Sequence, residues 1–215
     1  ALVNARLIIA SLIFLPILLR KKYLPLLAPI WKHVLILSVI NNMIPFTLFS
    51  YASLGSSSNI LAILNATTAF NTMVIAYFWI NESVTFKQIV GLILGFIGVI
   101  ILVNPQNSAA TLISSISCLF AAAFYSLSTV FIQKNSAKTN KLVLIGWSIV
   151  FSAVLMMPIS YIYLPESIPS FEANIAAVWL GAISTGLGFL GYVRLIDKIG
   201  AVKTSIVAYF LPVFG

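Results

Sequence analysis

Seven apolar runs of membrane-spanning length lie along this chain, at about residues 1–19, 33–54, 59–80, 86–103, 109–132, 141–164 and 174–196, and an eighth opens near Ala201. About 20 apolar residues carry an α-helix across a bilayer's hydrocarbon core. The runs are too long and too uniformly apolar for outer-membrane barrel strands, which alternate every second residue over about ten residues. Helices are then the remaining way to satisfy every backbone N–H and C=O within lipid. Composition agrees: 61% of the 215 residues are hydrophobic and 7% charged, with a mean hydropathy of +1.10, whereas soluble chains are about a quarter charged. The expected fold is an all-α polytopic membrane protein with eight visible transmembrane helices.

Charge placement tests that division independently. Loops after the first, third, fifth and seventh runs hold Arg20, Lys21, Lys22, Lys32, Lys87, Lys134, Lys138, Lys141, Arg194, Lys198 and Lys203, which is every Lys and Arg except Arg6. The intervening loops, 55–58, 104–108 and 165–173, carry no basic residue, only Glu166 and Glu172. Lys and Arg collect in cytoplasmic loops. The basic loops 20–32, 81–87, 133–141 and 194–203 are therefore placed on the cytoplasmic side of a plasma (cytoplasmic) membrane, and the protein is multi-pass. A single miscounted span would destroy this split.

The same figures exclude other classes. The net charge of +8 is spread between apolar runs rather than gathered on one face, so nucleic acid is not an expected partner. The single Cys118 excludes a disulfide framework, and the lone His33 leaves no pair for a metal; neither cofactor nor metal is expected. The chain opens at Ala1 and stops at Gly215 inside an apolar stretch, with no basic leader before a short apolar core. It reads as a piece cut through two helices. Gly55-Ser56-Ser57-Ser58 and Asn104-Pro105-Gln106-Asn107 have the composition of tight exterior turns. Thr85 to Gln88 has the spacing of a capping box opening the fourth helix.

Shifting the chain against itself by about 142 to 145 positions aligns Leu15-Pro16 with Met157-Pro158 and Leu54-Gly55-Ser56 with Ile199-Gly200-Ala201. Five spans separate equivalents, and five is odd, so the copies face opposite ways across the membrane. Such inverted repeats are a recurring transporter device with the binding site near the midplane. Residues 1–107 form a first repeat lacking its first helix and 108–215 a second lacking its last, so eight visible helices imply ten, in two inverted five-helix repeats.

Several stretches resemble a known family. Trp79-Ile80-Asn81-Glu82-Ser83-Val84-Thr85, followed by Gln88, Gly91 and Gly98, is similar to the Glu-containing loop and glycine helix of EamA-type transporters of the drug/metabolite transporter superfamily. Gly188-Phe189-Leu190-Gly191-Tyr192, then Leu195, Gly200-Ala201, Ser205 and Tyr209-Phe210-Leu211-Pro212-Val213, resembles the second copy, and Ala5-Arg6-Leu7 the Arg-containing helix. The resemblance spans the whole chain, as the second through ninth of ten helices. Two positions depart from it: Thr67 stands where the first copy often has Pro, and Phe210-Leu211-Pro212 lacks the acidic residue often found before that Pro.

Candidate pathway residues follow from polarity at depth, since a polar side chain on a spanning helix faces protein or water. On the third span Asn65, Thr67, Thr68, Asn71 and Thr72 share one arc, suited either to interhelical hydrogen bonds or to a cavity wall. Asn41 and Asn42 lie near mid-depth on the second span, close to Pro45, which frees a backbone carbonyl. Ser114, Cys118, Ala121, Tyr125 and Ser128 form a small and polar stripe on the fifth. Tyr192 and Tyr209 complete the aromatic candidates, with interface anchoring as the competing role. Gly91, Gly95 and Gly98, and Gly181, Ser184, Thr185 and Gly188, form two small-residue seams for close helix contact. Arg6 either snorkels to headgroups or faces an exterior vestibule as a charge for a carboxylate-bearing solute. Glu82 is placed to stabilise the positive end of the fourth helix, with gating as its second reading. No catalytic residue is expected, since no Asp or Glu lies deep in a span.

The expected function is secondary transport by alternating access: a carrier, in the family's manner an exporter, of small organic metabolites. Amides, hydroxyls and rings suit neutral, zwitterionic or aromatic solutes such as amino acids and their analogues. The alternatives are a non-transporting subunit of a membrane complex and a membrane-embedded transferase, which would want acids, bases or metal ligands at depth. Expected partners are a small-molecule solute and the lipid bilayer, with a homodimer left open. Cysteines placed singly at Ser57 and Asn135 should react with an impermeant maleimide from opposite faces of sealed cells; reaction of both from one face refutes this topography.

Overall fold

The computed structural model describes residues 2–103, 111–135, 139–162 and 169–210. Among these every regular element is helical. They are α1 (Leu2–Leu18), α2 (Trp31–Leu37), a π-helical segment Ser38–Met43, α3 (Ile44–Ala52), α4 (Ser58–Ala66), α5 (Thr68–Ile80) and α6 (Phe86–Val103). There follow α7 (Leu112–Asn135), α8 (Lys141–Ile162), α9 (Phe171–Trp179), a second π-helical segment Leu180–Leu187, α10 (Gly188–Ser205) and short 3₁₀ segments at Leu24–Leu26 and Ile206–Phe210. Among the described residues five stretches are long and apolar enough to cross a membrane: Trp31–Ala52, Ser58–Ile80, Leu112–Asn135, Lys141–Ile162 and Phe171–Phe210. Leu2–Leu18 and Phe86–Ile101 are shorter apolar helices. The chain is thus an α-helical polytopic membrane protein, and helix limits fall within a few residues of the apolar runs. The turn expected at Asn104 to Asn107, and Lys138, Glu166 and Pro212, lie outside the described residues.

Local chemistry accounts for several boundaries. The capping box forms: the Thr85 backbone N–H donates to Gln88 Oε1 at 2.8 Å, and the Gln88 N–H to Thr85 Oγ1 at 3.4 Å. Two donors that the first turn of α6 cannot use internally are thereby satisfied. Asn81 ends α5 in the left-handed region, at φ 52°, a conformation Asn tolerates because its short amide bonds locally. Asn140 caps α8, its Oδ1 accepting from the backbone of Leu142 at 3.0 Å and Val143 at 3.3 Å.

The 40-residue apolar stretch from Phe171 is divided at Gly200, whose φ of 82° and ψ of 173° are non-helical. The span expected from near Ala201 therefore separates from its predecessor at a glycine, and its described part ends at Phe210.

The chain divides into two compact units. Unit 1 takes residues 1–43 and 135–197; unit 2 takes 44–134 and 198–215. Each draws on both halves of the sequence. In unit 1, α8 lies against α1, α2 and the segment 38–43, and α1 lies against 180–187. Leu7, Phe14, Leu18, Val34, Leu37, Leu144, Ile145 and Ile149 are fully buried there. A methyl group at Gly146 would stand 2.9 Å from the Phe14 ring and 3.1 Å from Leu18, so the missing side chain sets how near α1 comes to α8. In unit 2, α4 lies against α6, and the 3₁₀ segment 206–210 meets α4, α5 and α6. Ala76, Val130, Ala201 and Val202 form one buried cluster there.

Helix ends of unit 2 meet at two places. The Thr111 N–H donates to the Gly55 carbonyl at 2.9 Å, joining two chain ends expected outside. At the opposite helix ends, Lys134 lies 4.7 Å from the centre of the Trp79 ring.

The two expected glycine seams are corrected. On α6 only Gly95 is approached closely; Gly91 and Gly98 meet nothing within 4 Å. The second seam runs along Gly181, Thr185 and Gly186, all buried, while Ser184 and Gly188 are exposed. The π-helical turn closes i to i+5 rather than i to i+4, so it carries 185 and 186 round to the face of 181. That face meets Ile9, Ile13 and the Arg6 carbonyl on α1.

Gly200→Ala should cost about 1–3 kcal/mol, the range for a strained backbone conformation, while Gly91→Ala should be nearly neutral. Unfolding in mixed micelles measures both; equal stability of the two variants would remove the case for a strained joint.

Candidate functional site

The third apolar run presents its polar face to protein. Asn65, Thr68 and Thr72 are buried, and Thr67 and Asn71 half-buried. The run is jointed at Thr67, between α4 and α5. The Thr67 hydroxyl donates to the Leu64 carbonyl at 2.6 Å, and its N–H bonds the same carbonyl at 3.2 Å, three residues back. A side chain competing for a helix carbonyl in this way loosens the regular ladder. The position where proline was expected from the resemblance thus carries a helix joint without one.

One turn further on, the Thr72 and Ser126 hydroxyls both donate to the Thr68 carbonyl, at 2.7 and 2.9 Å. The Thr68 hydroxyl donates to Asn65 Oδ1 at 3.3 Å. Ser126 belongs to α7, so the polar arc is tied to the span carrying Tyr125. Cys118 on the same helix donates through Sγ to the Leu61 carbonyl at 3.6 Å. Ser114, Cys118, Ala121 and Ser128 are all buried, so the stripe expected on the fifth run does face protein. The half-buried Tyr125 ring lies 6.1 Å from Phe46 and 5.7 Å from Phe49, between centroids. Unit 2 therefore brings Asn65, Thr68, Asn71, Thr72 and Tyr125 onto two adjoining spans, beside an aromatic group on α3.

Tyr209 stands elsewhere in the same unit. Its hydroxyl donates to the Leu92 carbonyl at 2.9 Å, and a methyl group on Gly95 would lie 2.6 Å from its ring. The ring is seated in the gap glycine leaves on α6, a locking contact rather than an interface anchor.

Asn41 and Asn42 belong to unit 1, in the π-helical segment 38–43. Asn41 donates to Asn42 Oδ1 at 3.0 Å, and Asn42 Nδ2 donates to Ser152 Oγ at 3.0 Å and Ser148 Oγ at 3.5 Å. Ser38 donates to the Ser148 carbonyl at 3.0 Å, and Ser152 to the Ser38 carbonyl at 3.1 Å. Asn42 is thus a clamp between two spans. Nothing in the local sequence distinguished it from a solute ligand; the pair Ser148 and Ser152, four apart in an otherwise apolar run, was the signal of its partner.

Arg6 is half-buried, and its Nε donates to the Thr185 hydroxyl, which itself donates to the Leu180 carbonyl at 2.9 Å. Arg6 is thus engaged by a neighbouring span of unit 1. Tyr192 meets Phe189 edge-on at 6.4 Å.

Glu82 takes its hydrogen bond from another helix. The first turn of α6 is served by Thr85 and Gln88, whereas Glu82 Oε2 accepts from Gln133 Nε2 at 3.1 Å. Gln133 Oε1 accepts in turn from the Ala201 N–H. The carboxylate, the Gln133 amide and the backbone beside Gly200 form a relay joining three segments of unit 2. Gln133, in the last turn of a long helix and flanked by Lys134, gave no sequence signal for this.

These features bear comparison with known proteins. Residues 1–104 and 112–215 each match the model of the EamA-like transporter family. The chain is 24% identical over 210 residues to the uncharacterized transporter YoaV of Bacillus subtilis, covering 94% of this chain and 71% of that protein. It is 24% identical over 225 residues to an uncharacterized transporter of Archaeoglobus fulgidus, covering 99% and 76%. A crystal structure shares the fold with a TM-score of 0.78 at 15% identity, covering 99% of this chain and 74% of that one.

A double-mutant cycle of Asn42→Ala and Ser152→Ala should give a coupling of about 0.6 kcal/mol, and no more than about 1.7, the range for interhelical hydrogen bonds in lipid. Reversible unfolding in micelles measures it; coupling indistinguishable from zero would free the Asn42 amide for a solute.

Proposed function

Because the chain belongs to the EamA-like transporter family, and is thus a multi-pass membrane transporter, we propose that it carries a small organic solute of little net charge by alternating access between two inverted repeats. Amino acids and their analogues are the class that fits, and export is the direction. The proposed cavity wall is the arc Asn65, Thr68, Asn71 and Thr72 with Tyr125, and the alternation uses the two halves 1–107 and 108–215.

The supporting observation is a pair of matching joints in unit 1. The π-helical segments start at Ser38 and Leu180, which the repeat offset superposes. Each lies against a helix of the other half, 38–43 on α8 and 180–187 on α1, and the same offset superposes those two helices. A shift of 142 carries Arg6 onto Ser148, and one of 143 carries Asn42 onto Thr185. The bonds Asn42 to Ser148 and Arg6 to Thr185 then occupy equivalent places in two copies. Two copies crossing the membrane in opposite senses are what an alternating carrier requires, and π-bulges are frequent at functional sites.

Solute class follows from the groups at hand. The Asn65 and Asn71 amides carry both donors and acceptors, and Tyr125 offers a ring face. A polyphosphate would want several cations within the spans; among the described residues only Arg6 is basic and distant from the basic helix ends. The proposed coupling uses no buried carboxylate, since Glu82 and Asp197 stand at helix ends. Asn65→Leu and Asn71→Leu should each abolish uptake of a labelled amino acid into inverted vesicles while leaving the quantity of inserted protein unchanged. Normal transport by both variants would make the arc structural and overturn the assignment.

A further inference from the structure

We propose that unit 1 holds a binding site for the phosphodiester headgroup of a membrane phospholipid, in a cavity of about 310 Å³ between the start of α8 and one face of α10. Asn140, Lys141, Arg194 and Asp197 line its polar end, and Leu190 and Val193 its apolar wall. Residues 190, 193, 194 and 197 recur at three- and four-residue spacing, so they share one helix face. From Leu190 to Asp197 that face passes from apolar to charged over about 10 Å of helix rise. An amphiphile standing in a bilayer presents the same gradient, acyl chains inward and headgroup at the surface.

The charges fit as well. Lys141 is 8% exposed and forms an ion pair with Asp197, whose side chain is 54% exposed. An ammonium has three donors, so the carboxylate fixes Lys141 without exhausting it. Arg194 is exposed and forms no ion pair among the described residues. Two cations against one carboxylate leave a single net positive charge, the complement of one phosphodiester, and a guanidinium matches phosphate oxygens in pairs. The helix ends concerned are those placed on the basic side of the membrane, where basic pockets between spanning helices receive lipid headgroups. The site is separate from the proposed solute wall, which belongs to unit 2, and does not depend on it.

The test is binding of short-chain phosphatidylglycerol to the full chain in neutral detergent, read by native mass spectrometry, with glycerol phosphate as the water-soluble counterpart. Removing a charge-assisted contact should weaken the lipid about tenfold in Arg194→Gln. Arg20→Gln, which removes an exposed cation elsewhere in unit 1, should leave the affinity unchanged. Equal affinity of Arg194→Gln and wild type, or an equal loss in Arg20→Gln, overturns the site. Glycerol phosphate binding as tightly as the lipid overturns the lipid as its occupant.

Discussion

Inside a bilayer a hydroxyl or amide has no water to turn to, and apolar side chains gain little from meeting one another because lipid is equally apolar. Polar partners and close approach must then hold the helices together. Unit 1 does both. Asn42 reaches Ser148 and Ser152, and Arg6 reaches Thr185, while Gly146, Gly181 and Gly186 let neighbouring spans come within contact distance. Unit 2 follows the same logic, with Ser126 on the Thr68 carbonyl and Tyr209 seated over Gly95. Each such bond is modest in lipid, so arrangement rather than strength of any one bond specifies the packing.

The two compact units and the two stretches that match the family divide the chain differently. The first segment of unit 1 ends at Met43, immediately before α3 and two residues before Pro45. Around that boundary the backbone is π-helical, and the equivalent stretch of the second half is π-helical too. A π-turn leaves carbonyls imperfectly matched to the regular ladder, and here side-chain hydroxyls take some of them, as Ser152 takes Ser38 and Thr185 takes Leu180. Such joints rearrange with a smaller change in bonding than a regular helix would.

Polarity is distributed unequally between the candidate residues. Asn42 is committed to a neighbouring helix and Tyr209 to the α6 backbone, whereas Asn71 and Tyr125 are half-buried on adjoining spans. Glu82, Gln133 and the turn at Gly200 bind three chain segments at one end of unit 2. A joint of that kind couples the positions of the segments it holds.

The amino-acid sequence by itself determined the class of fold, because the length and polarity of each run and the need to satisfy its backbone in lipid are one-dimensional properties. The runs set the helices, Thr85 and Gln88 set a cap, and Gly200 marked a joint. The family was also legible, through the order and spacing of its motifs. Tertiary structure alone decided which polar group meets which. Asn42 and Asn65 look alike along a helix, yet one is spent on Ser152 and the other lies beside Thr68. The seam on the span after Phe171 shifted by part of a turn because a π-helical segment changes helical phase, and that depends on what α1 presents to it. Gln133 found Glu82 across 51 positions of chain, a separation at which no local pattern records a partner.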